Sequence, residues 1–251
     1  MPIITLTTDF GTRDGYVGAM KGTIARIAPE ARILDIAHDV PRGDIAYAAW
    51  VIATSAVEFP HGSIHVVVVD PGVGGSRREV IVHASGQWFV GPDNGVFAHV
   101  ADARSEARSI DAVWFRAKPV SRTFHGRDVF ATAAAALARG DDVTKAGETV
   151  KLAGTLPWGP RQRGEWRIVH IDHFGNLISD LPMREAKHAI TIAGHTLPLV
   201  GTYEEVPSGQ LLAYVGSART IEVAVRDGRA DTRLGVARGE LIMPAAAGPY
   251  R

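Results

Sequence analysis

The stretch His65-Val66-Val67-Val68-Val69-Asp70 decides the fold class. Four consecutive valines with no polar alternation read as a strand covered on both faces. Such strands belong to parallel sheets packed between helices. Upstream, Ile3-Ile4-Thr5-Leu6-Thr7-Thr8 is a β-prone run ending at Asp9-Phe10-Gly11, and Ile33-Leu34-Asp35-Ile36 is a second. Between them Val17, Met20, Ile24 and Ile27 recur at three and four, which predicts a helix over 14–27. Asp44 is placed to cap another helix reaching Val57. Strand, helix, strand, helix, strand in this order predicts a parallel α/β sheet. Downstream, Val80 to Val90 reads as strand with a turn at Gly86. The Ala-rich run from Asp128 to Arg139 reads as a helix capped by Asp128 and ended by Gly140.

The stretch Leu156-Pro157-Trp158-Gly159-Pro160-Arg161-Gln162-Arg163-Gly164 reads as a linker. Beyond it helical periodicity fades, and 167–172, 190–192, 211–215 and 220–225 are short strands between Gly, Pro and Asp turns. The expectation is an N-terminal α/β domain with a mainly parallel sheet over 1–155. A smaller C-terminal all-β barrel domain follows over 165–251.

Composition mostly excludes. Among 251 residues Lys+Arg and Asp+Glu are each 27, and this balance holds on both sides of residue 158. A nucleic-acid or anionic-membrane partner would leave a basic surplus, so neither is expected. With no cysteine, disulfides, thiolate zinc sites and thiol nucleophiles are out. The start Met-Pro-Ile-Ile-Thr shows no basic segment or cleavage site, and no apolar run approaches ~20 residues, so a cytoplasmic protein without a membrane span is expected.

In open parallel sheets ligands sit beyond the carboxyl ends of the strands, where Asp9 and Asp70 lie. Asp70 opens Asp70-Pro71-Gly72-Val73-Gly74-Gly75-Ser76-Arg77, which has neither the Gly-Lys-Ser/Thr ending of a phosphate loop nor the dinucleotide glycine spacing. An Asp at its start and Arg77 at its end form a pair the loop can fold together, with Arg holding the carboxylate ionised. His125, in Phe124-His125-Gly126-Arg127-Asp128, sits where a helix begins. In His170-Ile171-Asp172-His173-Phe174-Gly175-Asn176, strand alternation puts His170, Asp172 and Phe174 on one face and His173 on the other, against a metal site. Asp172, Phe174 and Asn176 instead suit an aromatic floor flanked by a carboxylate and an amide, fit for an amino-acid head group or a nucleoside.

Six stretches in order, Leu6–Gly11, Tyr16–Gly22, Val69–Gly74, Gly91–Gly95, Thr123–Asp128 and Asp172–Leu177, make the chain resemble the S-adenosyl-L-methionine (SAM) hydroxide adenosyltransferases, relatives of SAM-dependent chlorinases and fluorinases. The resemblance implies hydrolysis of SAM to adenosine and L-methionine by water or hydroxide at ribose C5′, with SAM as substrate, no further cofactor and no metal. It implies an Asp70-Arg77-His125 catalytic set, with Asp9 on the ribose hydroxyls. Asp172, Asn176 and Phe174 would hold the methionine moiety with Ser217 near it, and the strand to about Arg226-Asp227 would meet adenine. Arg219 stands where the family commonly has Gly, and Arg226 where Asn is common. A homotrimer with intersubunit active sites is also implied. Asp70 stands where halogenating relatives have tyrosine, and a carboxylate repels halide, which favours water. The alternatives are a halide-dependent enzyme, a non-catalytic adenosine or SAM binding module, and a metal phosphohydrolase built on Asp9, His170 and His173.

Overall fold

The computed structural model describes residues 1–159 and 162–245; Pro160 and Arg161 of the linker and the end of the C-terminal segment lie outside the described residues. The chain divides into two compact units, Met1–Leu156 and Pro157–Arg251.

The first unit runs β1 (Ile3–Thr8), α1 (Tyr16–Ile27), β2 (Arg32–Ala37), α2 (Ile45–Ala56), β3 (Ile64–Val68), β4 (Glu79–Ala84), β5 (Gln87–Pro92), β6 (Glu106–Ser109) and α3 (Thr132–Arg139). Its sheet has the order β2-β1-β3-β5-β4-β6. The pairs β1–β2, β1–β3 and β3–β5 are parallel, while β4 lies antiparallel to β5 and β6. The sheet is mixed because β4 and β5 form a tight hairpin through Ser85 and Gly86, both at positive φ, as two-residue hairpin turns require.

The valine run behaves as its composition demands. Every residue of β3 is buried. Val66 and Val68 enter one core with α1 and α3 residues such as Met20, Ile24 and Ala133–Ala136, whereas Val67 and Val69 enter another with Ala48 and Ile52 of α2. Helices therefore cover both faces, and strand alternation feeds two cores rather than a core and solvent. Fully burying each valine contributes roughly 1.5–3 kcal/mol. The strand stops at Val68, and the Val69 carbonyl accepts from Asn94 Nδ2 at 2.9 Å instead of from a neighbouring strand. Asp44 caps α2 as expected, accepting from Tyr47 N at 3.0 Å.

The Ala-rich helix differs from expectation at its start. Residues Gly126–Ala131 form a π-helical turn ahead of α3, and Asp128 is inside it rather than at the cap. Two outside donors account for this. The Asp128 carbonyl accepts from Ala117 N at 2.7 Å, and its carboxylate accepts from Ser121 N at 2.8 Å. Gly140 ends α3 in the left-handed region, as its sequence position suggests.

The second unit is an antiparallel, nearly closed barrel of β7 (Trp166–Ile171), β8 (Leu177–Pro182), β9 (Ala189–Ile192), β10 (His195–Pro198), β11 (Leu211–Val215), β12 (Thr220–Val225) and β13 (Leu241–Ala245), with the short helix α4 (Ala230–Leu234). The order is β10-β9-β13-β7-β8-β12-β11, and Val200 N donates to Ala213 O at 2.9 Å to bring the two ends together. Sequence reading misses β8, whose polar residues are structural: Ser179 Oγ donates to Ile221 O at 2.5 Å and Asp180 accepts from Arg167 N at 2.7 Å. Among the described residues no helix is long and apolar enough to cross a membrane.

Candidate active site

Three loops of the first unit carry the charged groups. Asp9 follows β1, and its Oδ2 accepts from Gly43 N at 2.8 Å. An added Cβ on Gly43 would meet Pro71 at 3.7 Å, which places Asp9 beside the loop that Asp70 opens. Gly126 packs so closely on the Phe10 ring, 3.2 Å from where a Cβ would sit, that a side chain there would push the His125 turn off the Asp9 loop. A short loop at each of two strand ends and one glycine contact thus bring residues 9, 70 and 125 into one neighbourhood.

Arg77 ties this neighbourhood together. Its Nε lies 3.0 and 3.1 Å from Asp70 Oδ1 and Oδ2, and Nη2 also donates to Oδ2, a forked, charge-assisted pair. The same Nη2 reaches His125 Nδ1 at 2.9 Å, and Nη1 donates to Glu79 Oε1 at 2.8 Å. Both side chains of the ion pair are buried, Arg77 at 9% and Asp70 at 4% exposure. Although burial opposes its charge, Asp70 and Glu79 raise the Arg77 pKa further, so it is a permanent cation. Burial, then the positive charges of Arg77 and Arg116, hold the His125 imidazolium below its ordinary range against the opposing pull of Glu79 and Asp70. A neutral imidazole receiving the Arg77 bond at Nδ1 carries its proton on Nε2, an assignment made from the network. Of the Asp70 oxygens, Oδ2 accepts two Arg77 donors while Oδ1 shares only the Nε bond, so Oδ1 retains capacity for a water molecule.

Next to this network is a cavity of about 420 Å³ lined by Phe10, Tyr16, Ser121, Thr123, Phe124 and Arg127. Phe10, Tyr16 and Phe124 meet edge to face with centroids 5.3–6.0 Å apart, and the Arg127 guanidinium lies 4.9 Å from the Phe124 ring centre. A cavity with aromatic walls beside carboxylates suits a flat, cationic molecule. Sequence reading names neither these aromatics nor Glu79, although the short motifs around Asp9 and His125 contain the former. Glu79 has no comparable signal, being one charged residue at the start of a buried strand.

In the second unit, β7 ends at Ile171, so Asp172–Asn176 is a turn and strand alternation does not govern its faces. Asp172 Oδ1 accepts from Phe174 N and Asn176 N, each at 2.9 Å, and Oδ2 from Asn176 Nδ2 at 2.8 Å. The carboxylate has replaced the strand ladder with a local turn. Gly175, at φ +85°, permits it: a Cβ there would lie 2.7 Å from Asp231 Oδ1 and 2.8 Å from Arg229 Cβ. Its carbonyl in turn accepts from Ala230 N and Asp231 N at 3.1 Å.

The turn presents Phe174, 71% exposed, and buries Asn176. Both line a cavity of about 400 Å³ with Tyr203, Val225, Asp227 and Gly228. Asp172 is not part of this lining but bonds Asn176, which is. Ser217 is exposed in the turn between β11 and β12 and does not line the cavity. Arg226 donates to Val206 O at 2.8 Å, steadying the turn that carries Tyr203. Arg219 has φ +60°, a left-handed conformation that favours glycine. Among the described residues no group of three or more His, Asp or Glu is arranged to hold a metal ion.

Comparison with known proteins covers both units. A family model described as the SAM hydroxide adenosyltransferase N-terminal domain matches residues 4–147, and one for the C-terminal domain of that family matches 166–243. The chain is 37% identical to an (R)-S-adenosyl-L-methionine hydrolase of Salinispora arenicola, covering 98% of both chains. It is 28% identical to a fluorinase of Nocardia brasiliensis over 89% of this chain and 90% of the other. A crystal structure of a conserved protein from Thermotoga maritima superimposes with a TM-score of 0.82 at 31% identity, over 96% of this chain and 98% of that one.

Proposed function

We propose a mechanism from one premise: this chain belongs to the SAM hydroxide adenosyltransferase family and is an enzyme that hydrolyses SAM to adenosine. Water attacks the ribose C5′ in line with the C5′–S bond. The bond's electron pair stays on sulfur, so the sulfonium departs as the neutral thioether of L-methionine. The attacking water loses one proton, and adenosine keeps the new C5′–O bond.

Departure cancels the positive charge on the leaving group, so no acid is needed there. What remains is to place the water and ease loss of its proton. Positioning can supply up to ~7–11 kcal/mol, and a general base typically ~10²–10⁴-fold. Asp70 Oδ1 takes the water and its proton. Arg77 aims the carboxylate, and His125 fixes the second Nη2 hydrogen of Arg77. The observation that carries this reading is the single buried network joining Asp70, Arg77 and His125 with one carboxylate oxygen lightly loaded.

Asp9 takes the ribose hydroxyls. The methionine moiety is held by the Asp172–Asn176 turn, with Phe174 against it and Asn176 and Ser217 nearby, and Asp227 lies at the adenine end. The chemistry calls for no metal and no redox partner, and SAM is the substrate rather than a cofactor. A negative carboxylate at Asp70 disfavours halide as nucleophile, in keeping with the weaker likeness to the fluorinase.

The two groups of residues belong to separate units, Met1–Leu156 and Pro157–Arg251; the family resemblance implies a homotrimer whose active sites take one half from each of two subunits. A cysteine-free, charge-balanced chain suits the cytoplasm and leaves no footprint for nucleic acid or membrane.

The test is to incubate the purified protein with each sulfonium epimer of SAM, because the Salinispora relative is named for the (R) form. Adenosine and methionine are expected in equal amounts, unchanged by added chloride or fluoride. A 5′-halogenated nucleoside would establish the halide alternative, and tight adenosine binding without turnover would point to a binding module.

A further inference from the structure

We infer that Glu79 is a positioning residue for the displacement: its carboxylate fixes the aim of Arg77 and supplies the acceptor that His125 Nδ1 needs once the imidazole is protonated. This inference rests on the hydrolytic reading above, and its test separates the failure of one from the failure of the other.

Glu79 opens β4 with its side chain only 15% exposed. One oxygen, Oε1, lies 2.8 Å from Arg77 Nη1, 3.0 Å from His125 Nδ1 and 3.8 Å from Arg116 Nη2. Arg116 is held there by its Nη1 bond to Ile110 O at 3.0 Å. Two guanidinium groups and an imidazole converge on a single carboxylate oxygen. Without that charge, the guanidinium that grips Asp70 would face a second guanidinium in a poorly solvated space.

His125 Nδ1 has two neighbours that ask opposite things of it. Arg77 Nη2, at 2.9 Å, can only donate, and Glu79 Oε1, at 3.0 Å, can only accept. A neutral ring accepts from Arg77. A protonated ring gives up that bond and donates to Glu79. His125 therefore has two bonding states, and the second exists only because Glu79 is present. The charged groups facing the ring are Asp70 and Arg77 from the loop after β3, Glu79 from β4, Arg116 from the segment before the π turn and Asp128 from its own turn. In the neutral state Arg77 Nη2 is shared between Asp70 Oδ2 and His125 Nδ1, and protonation removes the second of these holds on its aim, so kcat should fall as His125 protonates.

The test compares wild type with Glu79→Gln in the full chain. The probes are imidazole ¹⁵N chemical shifts of His125 against pH without substrate, and kcat and KM for SAM against pH. The expected variant titrates His125 at lower pH than wild type and moves the acid limb of kcat the same way. It loses about tenfold in kcat while KM stays within about threefold. An unshifted His125 titration with wild-type kcat would overturn the inference.

If Glu79→Gln does not fold, Glu79→Asp decides. Keeping the charge but retracting it should leave His125 titrating near wild type while kcat falls, and wild-type kcat would count against the role. A wild-type protein that releases no adenosine sinks the hydrolytic reading alone, because the titration is read without SAM.

Discussion

Asp70 and Asp172 each follow a strand, yet their surroundings treat them in opposite ways. Asp70 is locked to a guanidinium inside a buried network that also binds Glu79 and His125. Asp172 spends its oxygens on N–H groups of its own turn, whose Phe174 and Asn176 line a cavity. A carboxylate held by a permanent charge suits a task at the reacting bond. A carboxylate that shapes a turn suits presenting other groups to a ligand. On the proposed reading, the displacement belongs to the first unit and the grip on the methionine moiety to the second.

The sharpest way to break it is to remove each carboxylate. Asp70→Ala should lower kcat by ~10²–10⁴-fold with little change in KM, read by adenosine release. A variant that kept its rate and lost only affinity would erase the distinction.

The two units should also answer pH with opposite signs. His65 is fully buried between the Phe59 and Phe89 rings, and burial lowers its pKa to about 4. Between pH 6.5 and 4 the unfolded chain takes up a proton that the folded one refuses. The first unit should therefore lose roughly 3 kcal/mol over that window, seen by chemical denaturation and largely absent in His65→Gln.

In the barrel, burial raises the Glu222 pKa even though Tyr214 Oη donates to it at 2.5 Å, and Asp172 adds to the rise. Its folded form holds a proton that the unfolded chain releases first as pH climbs above 4.5. The barrel is thus weakened on the alkaline side of that value, and Glu222→Gln should stabilise it at neutral pH.

Smaller effects sharpen the same contrast. Asp172→Ala should raise KM for SAM about tenfold, with kcat nearly kept, by loosening the turn that presents Phe174 and Asn176; one decade is about 1.4 kcal/mol. A loss of kcat without change in KM would move Asp172 to the chemical side. Smaller still, Arg219→Gly should stabilise the barrel by about 0.5 kcal/mol, because it relieves a left-handed side-chain residue while adding freedom to the unfolded chain. Thermal unfolding checks both stability predictions.

The same contrast explains what could be read from the sequence. The valine run, the Asp44 cap of α2, the Gly140 end of α3 and the strand-end position of Asp70 depend on local pattern, and each appears at its expected place. Strand alternation misplaces Asp172 because a side chain that captures three local N–H groups ends the strand, which alternation does not encode. Asp128 has the local pattern of a cap, but the donors that draw it inward, Ala117 and Ser121, come from the preceding segment. Glu79 carries no local signal for a related reason, since only the folded chain brings Arg77, Arg116 and His125 to one oxygen.

Turnover in ¹⁸O-labelled water reads directly where the new bond forms. Attack at C5′ predicts one ¹⁸O atom in the 5′-hydroxyl of every adenosine released and none in methionine, by mass spectrometry of both products. Adenosine without the label, or label in methionine, would contradict displacement at C5′ and with it the role given to Asp70.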